Sequence, residues 1–241
     1  FAKQGLKPAG AFELEFFLFA NERDAQGRIQ LAAAVLDGRW SGKTEVYSVD
    51  HLHGMEPLFS DIYEGAKLAG IPAETLISEY APGQYELTLH YRDSMMQAAD
   101  DLIRLKRLVR AQARRHGVTA CFMAKPIADY AGSGMHIHVS LLDETGANVF
   151  VEDTDGEWSP LLLNALGGLQ ATMGESMLVF APHANSWRRF VSQSYAPVSP
   201  TWSVNNGSVA PRTPAGSKKA RCIEHRPSGV DANPYLGATT V

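Results

Sequence analysis

The stretch Ala11–Phe19, AFELEFFLF, decides how the rest of the chain is read. Phe12, Leu14 and Phe16 alternate with Glu13 and Glu15. Successive side chains of a strand point to opposite faces. This spacing therefore puts both carboxylates on one face and the large apolar groups on the other. Two carboxylates on one face repel each other, and burial raises their cost steeply. Such a strand either keeps its acidic face in water or forms one wall of a site where something cationic compensates.

Working outward, the same period recurs. Met135–Leu142 (MHIHVSLL) predicts a strand with His136 and His138 on one face. The turn Asp143–Gly146 leads into a further strand, Asn148–Val151. Gln84–Tyr91 (QYELTLHY) alternates as a half-buried strand should, and Arg221–Arg226 (RCIEHR) puts Glu224 and Arg226 on one face. Glu79 and Glu86 flank Pro82–Gly83, a turn able to bring both carboxylates to one place. Helical spacing runs over Glu56–Ala69, stopped by Gly70 and Pro72. It recurs over Ser94–His116, where Met95, Ala99, Leu102, Ile103 and Val109 form a stripe closed by Gly117. Ser159–Phe180 carries one or two helices despite Gly167–Gly168, and Ala196–Gly216 reads as long loops around short strands. Helices and strands interleave, but several strands abut through turns. The pattern is α+β with an antiparallel sheet rather than a doubly wound parallel one.

Composition narrows the function classes. The 241 residues hold 22 Lys and Arg against 26 Asp and Glu, a net charge of −4. That balance argues against general nucleic-acid affinity, which needs clustered cations. Arg104, Lys106, Arg107, Arg110, Arg114 and Arg115 on the long helix read as a solvated face. No run approaches the roughly 18 apolar residues of a membrane-spanning helix, so no membrane partner is expected. Two cysteines, Cys121 and Cys222, build no disulfide framework and fit a cytoplasmic setting. Gly38–Thr44 (GRWSGKT) is one residue short of a phosphate-binding loop and follows no apolar strand, so it is set aside. What stands out is glutamate and histidine on four strand segments, the donor set of a hard divalent ion, Mg²⁺ or Mn²⁺.

Taken together, GAFELEFFLF, PGQYELTL, AKP followed by GSGMHIHVSL, NSWRRF and IEHRPSGVDANPYLG resemble, in order, the motifs of the glutamine synthetase family. The resemblance runs from about Gly10 to the end and corresponds to the catalytic domain. It implies a curved, mainly antiparallel sheet with flanking helices. It also implies that residues 1–241 lack the family's small amino-terminal domain and stop short of its carboxy-terminal part. It implies an ATP- and metal-dependent ligase that makes a γ-glutamyl amide through γ-glutamyl phosphate. By the resemblance, Glu15, Glu79 and Glu86 hold one divalent ion, while Glu13, His136 and Glu224 hold a second. Gly132–Gly134 forms the loop against bound glutamate, where glycine permits close backbone approach. His138 lies on the substrate and phosphate side. Ser140, Arg212 and Lys219 match nucleotide-contacting positions, and Arg189 and Arg226 match arginines that grip glutamate or phosphate. The family also assembles as homo-oligomeric rings with sites between neighbours.

Three departures bear on the substrate. Ammonia-using members place a glutamate immediately before the Ala-Pro of this region, and here Tyr195 stands there. A phenol supplies no carboxylate for ammonium, but it can line a pocket for a larger amine such as a polyamine or bulky monoamine. Gly207 and Cys222 stand where arginines are usual, removing two phosphate-side cations. The expected branch is therefore that of γ-glutamylpolyamine and related γ-glutamylamide synthetases. Ammonia assimilation and a non-catalytic binding role are the alternatives.

Overall fold

The computed structural model describes residues 1–32, 46–151, 158–192, 194–216 and 220–241. Nine strands are described: β1 (Lys7–Arg23), β2 (Ile29–Leu31), β3 (Ala73–Ser78), β4 (Gln84–Leu89), β5 (Val118–Cys121), β6 (Ile137–Leu142), β7 (Ser203–Val204), β8 (Pro211–Thr213) and β9 (Ile223–His225). The helices are α1 (Val49–Gly54), α2 (Glu56–Leu68), α3 (Met95–Arg115), α4 (Pro160–Phe180), α5 (Ala184–Trp187) and α6 (Pro234–Thr240). The rejected phosphate-loop look-alike Gly38–Thr44 lies outside the described residues.

β1 is the spine. It runs 17 residues, beyond both ends of the predicted stretch, and changes partner along its length. Lys7–Phe12 pairs with β6, Glu13–Phe17 with β4, and Phe17–Ala20 with β5. The strand order is β3-β4-β1-β6-β9-β8-β7, and every pairing is antiparallel except β7 with β8. The expected mainly antiparallel sheet with flanking helices is what the chain forms.

Alternation on β1 sorts the molecule into two sides. Phe12, Leu14, Phe16 and Leu18 are buried against Leu58 and Ile62 of α2 and Leu102, Leu105 and Val109 of α3. Each such side chain is worth about 1.5–3 kcal/mol on burial, which fixes the register and sends Glu13 and Glu15 to the opposite face. α3 begins where predicted: the Ser94 hydroxyl accepts from the Gln97 N–H, and Gly117 follows at φ 71°. α4 is one helix, not two. Gly167 and Gly168 stay inside it, because Ser159 caps it and Pro160 sits in the first turn.

Some expectations are corrected. Lys106 is not on the solvated face of α3. It is buried, and its ammonium donates to the Val230 carbonyl at 2.5 Å, tying the helix to the segment before α6. Asn148–Val151 forms no strand beyond a single bridge from Leu142 to Asn148. There the Asn148 side chain accepts from the Phe150 N–H and donates to the Arg221 carbonyl, so local bonds replace a ladder.

Candidate active site

The odd face of β1 opens onto a cavity of ≈ 390 Å³. Glu13 and Glu15 come from β1, Glu86 from β4, and Glu79 from the turn between β3 and β4. His136 precedes β6, and Arg212 and Arg226 come from β8 and the end of β9. Gly132, Arg189 and Tyr195 complete the predicted members of the wall. Antiparallel pairing explains the convergence, since Glu15 lies directly opposite Glu86 and His138 opposite both Ala11 and Glu224.

The carboxylates are held by three different means. Glu13 accepts from both histidines, at 2.5 Å from His136 Nδ1 and 2.7 Å from His138 Nε2. Burial alone opposes its ionisation, but His138 and then His136 outweigh burial and hold the carboxyl well below the usual range. Glu13 in turn overcomes the burial of His138 and raises that imidazole well above its ordinary value. Burial and the nearby Arg226 push His136 down, so of the two imidazoles His138 is the one held cationic. Glu224 is wholly buried and accepts from both Arg212 Nε and Arg226 Nη1. Glu15 accepts from the Gly134 N–H at 2.7 Å and from Gln84 Nε2 at 3.2 Å.

These partners leave a deficit of positive charge. Burial first, and the Glu79 carboxylate second, push Glu15 up to about 7. Burial pushes Glu86 well above the carboxylate range, with Glu13, Glu15, Glu79 and Glu224 adding to it, and burial raises Glu79 as well. Four carboxylates facing one cavity, with Glu224 buried beside them and protons retained on some of the group, is the state expected when the balancing charge is a removable cation. Two groups, Glu13–His138–Glu224 and Glu13–Glu86–His136, have ligand atoms within 4.8 Å of one another. Oxygen-rich donors with one imidazole suit a hard divalent ion, so the residues present fit such a metal. The grouping differs from the trios expected from sequence, with His138 drawn into one of the clusters.

Glycine is needed at the loop before β6. A Cβ on Gly132 would fall 2.2 Å from Arg189 Cγ and 2.8 Å from the Ala124 carbonyl oxygen. On Gly134 it would meet His136 Nε2 at 2.9 Å. Arg189, buried beneath, donates to the Pro227 carbonyl at 2.8 Å and the Arg226 carbonyl at 3.4 Å.

Ser140 is not in this cavity. Its hydroxyl donates to the Arg221 carbonyl at 3.0 Å and lines a second cavity of ≈ 780 Å³ with Tyr91, Arg92, Asp93 and Asn148. Lys219 lies outside the described residues. Cys222 is buried behind His138, its sulfur 3.8 Å from His138 Nδ1. Gln84 was missed by sequence reasoning. It bridges Glu15, the Gly132 carbonyl and Ser133 Oγ, and its spacing of two from Glu86 was the available signal. Tyr80 was also missed. It stands in the wall with its ring 5.7 Å from that of Tyr195, and no local pattern marks it.

Residues 1–241 match the family model described as glutamine synthetase, catalytic domain. The chain is 44% identical over 234 residues to gamma-glutamylputrescine synthetase PuuA of Escherichia coli, covering 97% of this chain and 49% of that protein. It is 33% identical over 239 residues to glutamate–isopropylamine ligase of Pseudomonas sp, covering 96% of this chain and 50% of that one. Among solved structures, apo GmaS without ligand superposes with a TM-score of 0.81 at 27% identity, over 98% of this chain and 52% of that chain. The chain thus spans about half the length of the curated relatives it matches.

Proposed function

The chain belongs to the glutamine synthetase family, and from that premise we propose that it is the catalytic domain of an ATP-dependent ligase joining the γ-carboxyl of glutamate to an amine larger than ammonia. The observation that carries this reading is the convergence of Glu13, Glu15, Glu79, Glu86 and Glu224 with His136, His138, Arg189, Arg212 and Arg226 around one face of the sheet. The names of the amine-ligating relatives support it.

In this reading a γ-carboxylate oxygen of glutamate attacks the γ-phosphorus of ATP. The bond to ADP breaks and γ-glutamyl phosphate forms. The amine nitrogen then attacks the acyl carbon, phosphate leaves, and the nitrogen gives up its extra proton. Divalent ions, Mg²⁺ or Mn²⁺, would be held by Glu13, Glu15, Glu79, Glu86, His136 and Glu224, and supply the charge that lets two anions approach. Arg189 and Arg226 are the catalytic arginines that position the carboxylate and phosphoryl groups through a fixed donor fork. The Gly132 loop lies against glutamate. His138, held protonated by Glu13, faces the phosphate side. Arg212 contacts the nucleotide phosphates, while Ser140 in the second cavity and Lys219 contact the rest of the nucleotide. Tyr195 lines the amine side.

A homo-oligomeric ring and a cytoplasmic location complete the proposal. No helix among the described residues is long and apolar enough to cross a membrane. The test is to incubate the full-length protein with ATP, Mg²⁺, glutamate and a panel of amines, measuring ADP and γ-glutamyl amide. Amide formation with alkylamines at concentrations where ammonia is inert is the expected result. Turnover with ammonia alone overturns the assignment of a larger amine.

A further inference from the structure

We propose that Gln84 is a positioning residue that couples a cation held at Glu15 to the loop against glutamate, so that cation and glutamate each tighten binding of the other. The inference rests on the ligase reading and adds to it the side chain through which two of its ligands communicate.

Gln84 is held from behind. It opens β4 directly opposite Phe17 of β1 and is 1% exposed in the cavity wall. Its backbone N–H donates to the Ala81 carbonyl at 3.1 Å, and its backbone carbonyl accepts from the Glu79 N–H at 2.8 Å. The side-chain oxygen accepts from the Ala81 N–H at 3.3 Å. With the acceptor end of the amide engaged in the turn, its NH2 faces the other way. There it meets three oxygens: Glu15 Oε2 at 3.2 Å, the Gly132 carbonyl at 3.0 Å and Ser133 Oγ at 3.2 Å.

A buried carboxylate, carbonyl and hydroxyl converging on one point need a donor, and a neutral amide supplies two N–H groups from one atom. A lysine ammonium would also donate, but it would cancel the Glu15 charge that draws a cation. Glu15 Oε2 takes the Gly134 N–H as well, at 2.7 Å, so the donors gather on one carboxylate oxygen. Glu15 Oε1 accepts no hydrogen bond from the described residues and lies 3.6 Å from the proposed ligand His136, at its Nε2. A cation on Oε1 fixes the carboxylate. A fixed Oε2 then fixes the Gln84 amide, and with it Gly132 and Ser133. Ala131 and Gly132 line the same cavity. Order already imposed on the loop by one ligand need not be imposed again by the other, which is positive cooperativity.

The test measures Mn²⁺ binding to the full-length protein by electron paramagnetic resonance, with and without saturating glutamate. The ratio of the two dissociation constants is the coupling factor. Wild type should give a factor of roughly five or more, the lower end of coupling between sites. Mn²⁺ alone should slow amide hydrogen exchange over residues 131–134. Gln84→Met keeps the side-chain length and removes the amide. It should lower the coupling factor by roughly two- to tenfold, the range one net hydrogen bond supplies, and weaken the slowing of exchange. Gln84→Asn draws the amide back from Glu15 and Gly132 and should lower the factor likewise, in a side chain that still hydrogen-bonds. A merely structural role would weaken Mn²⁺ binding equally with and without glutamate, and an unchanged factor in these variants overturns the proposal. Wild-type exchange that is indifferent to Mn²⁺ also overturns it, and needs no variant to fold. Both outcomes leave the ligase reading intact where amide still forms. Absence of glutamate binding, and of ADP release with every amine, overturns the ligase reading and this inference with it.

Discussion

Glu224 sits fully buried between two guanidinium groups, and that placement makes a single atom change expensive. Glu224→Gln would remove the charge that compensates Arg212 and Arg226. Arg226, with a side chain only 10% exposed, would be left in a site it cannot easily leave. Breaking a buried pair by removing one partner costs roughly 3–5 kcal/mol, so the urea midpoint of the metal-free protein should drop by a matching amount. An unchanged midpoint would show that the arginines find other partners. The shared face of Glu224 and Arg226 was legible in the EHR spacing, because period two needs only a strand. Arg212, twelve residues earlier, was not derivable from spacing, because only the pairing of β8 with β9 brings it opposite Glu224.

At the scale of elements, the contact of β1 with β6 carries the site. Gly10 faces Val139 across this pair, and a Cβ on it would fall 2.1 Å from the His138 carbonyl oxygen and 2.3 Å from Met95 Sδ. Gly10→Ala therefore has to push the strands apart or displace α3 from the sheet. Overpacking of this kind costs about 1–3 kcal/mol. Because the proposed ligand His136 leads directly into the displaced strand, metal affinity should weaken along with thermal stability. Gly167→Ala in α4 is the contrasting change, since its Cβ would meet nothing within 4 Å. Alanine should raise stability there by about 0.5–1 kcal/mol. A scanning calorimeter distinguishes the two, and a fall in both would contradict the packing described. The long elements were legible because their patterns repeat: the Ser94–His116 stripe became α3 nearly to the residue. Short elements such as β3 and β5 were not legible, since four to six residues held by a neighbour's hydrogen bonds carry little pattern of their own.

For the whole molecule, the acidic cavity couples folding to pH and to metal. Burial, with Glu79 beside it, raises the Glu15 carboxyl to about 7. Between the ordinary value near 4.5 and about 7 the metal-free fold keeps a proton that the unfolded chain has released. The contribution of this group to stability therefore falls as pH rises through that window. A bound cation prefers the ionised carboxylate, so the rise in melting midpoint caused by Mg²⁺ or Mn²⁺ should be larger at pH 8 than at pH 5.5. Glu15→Gln should flatten that difference, and an equal rise at both pH values would remove Glu15 from the ligand set. The sequence by itself determined which face of each strand carries charge, because side-chain direction along a strand is set by local backbone geometry. Alternation at Phe12–Phe16 was enough to send two carboxylates away from the core. Only the tertiary structure decided which charges meet. Partner choice depends on strand order and register, and these are set by contacts between residues more than a hundred positions apart, such as Glu13 with His136 and His138. The same long-range pairing brought Tyr80 to Tyr195 and gave the acidic cavity its aromatic rim.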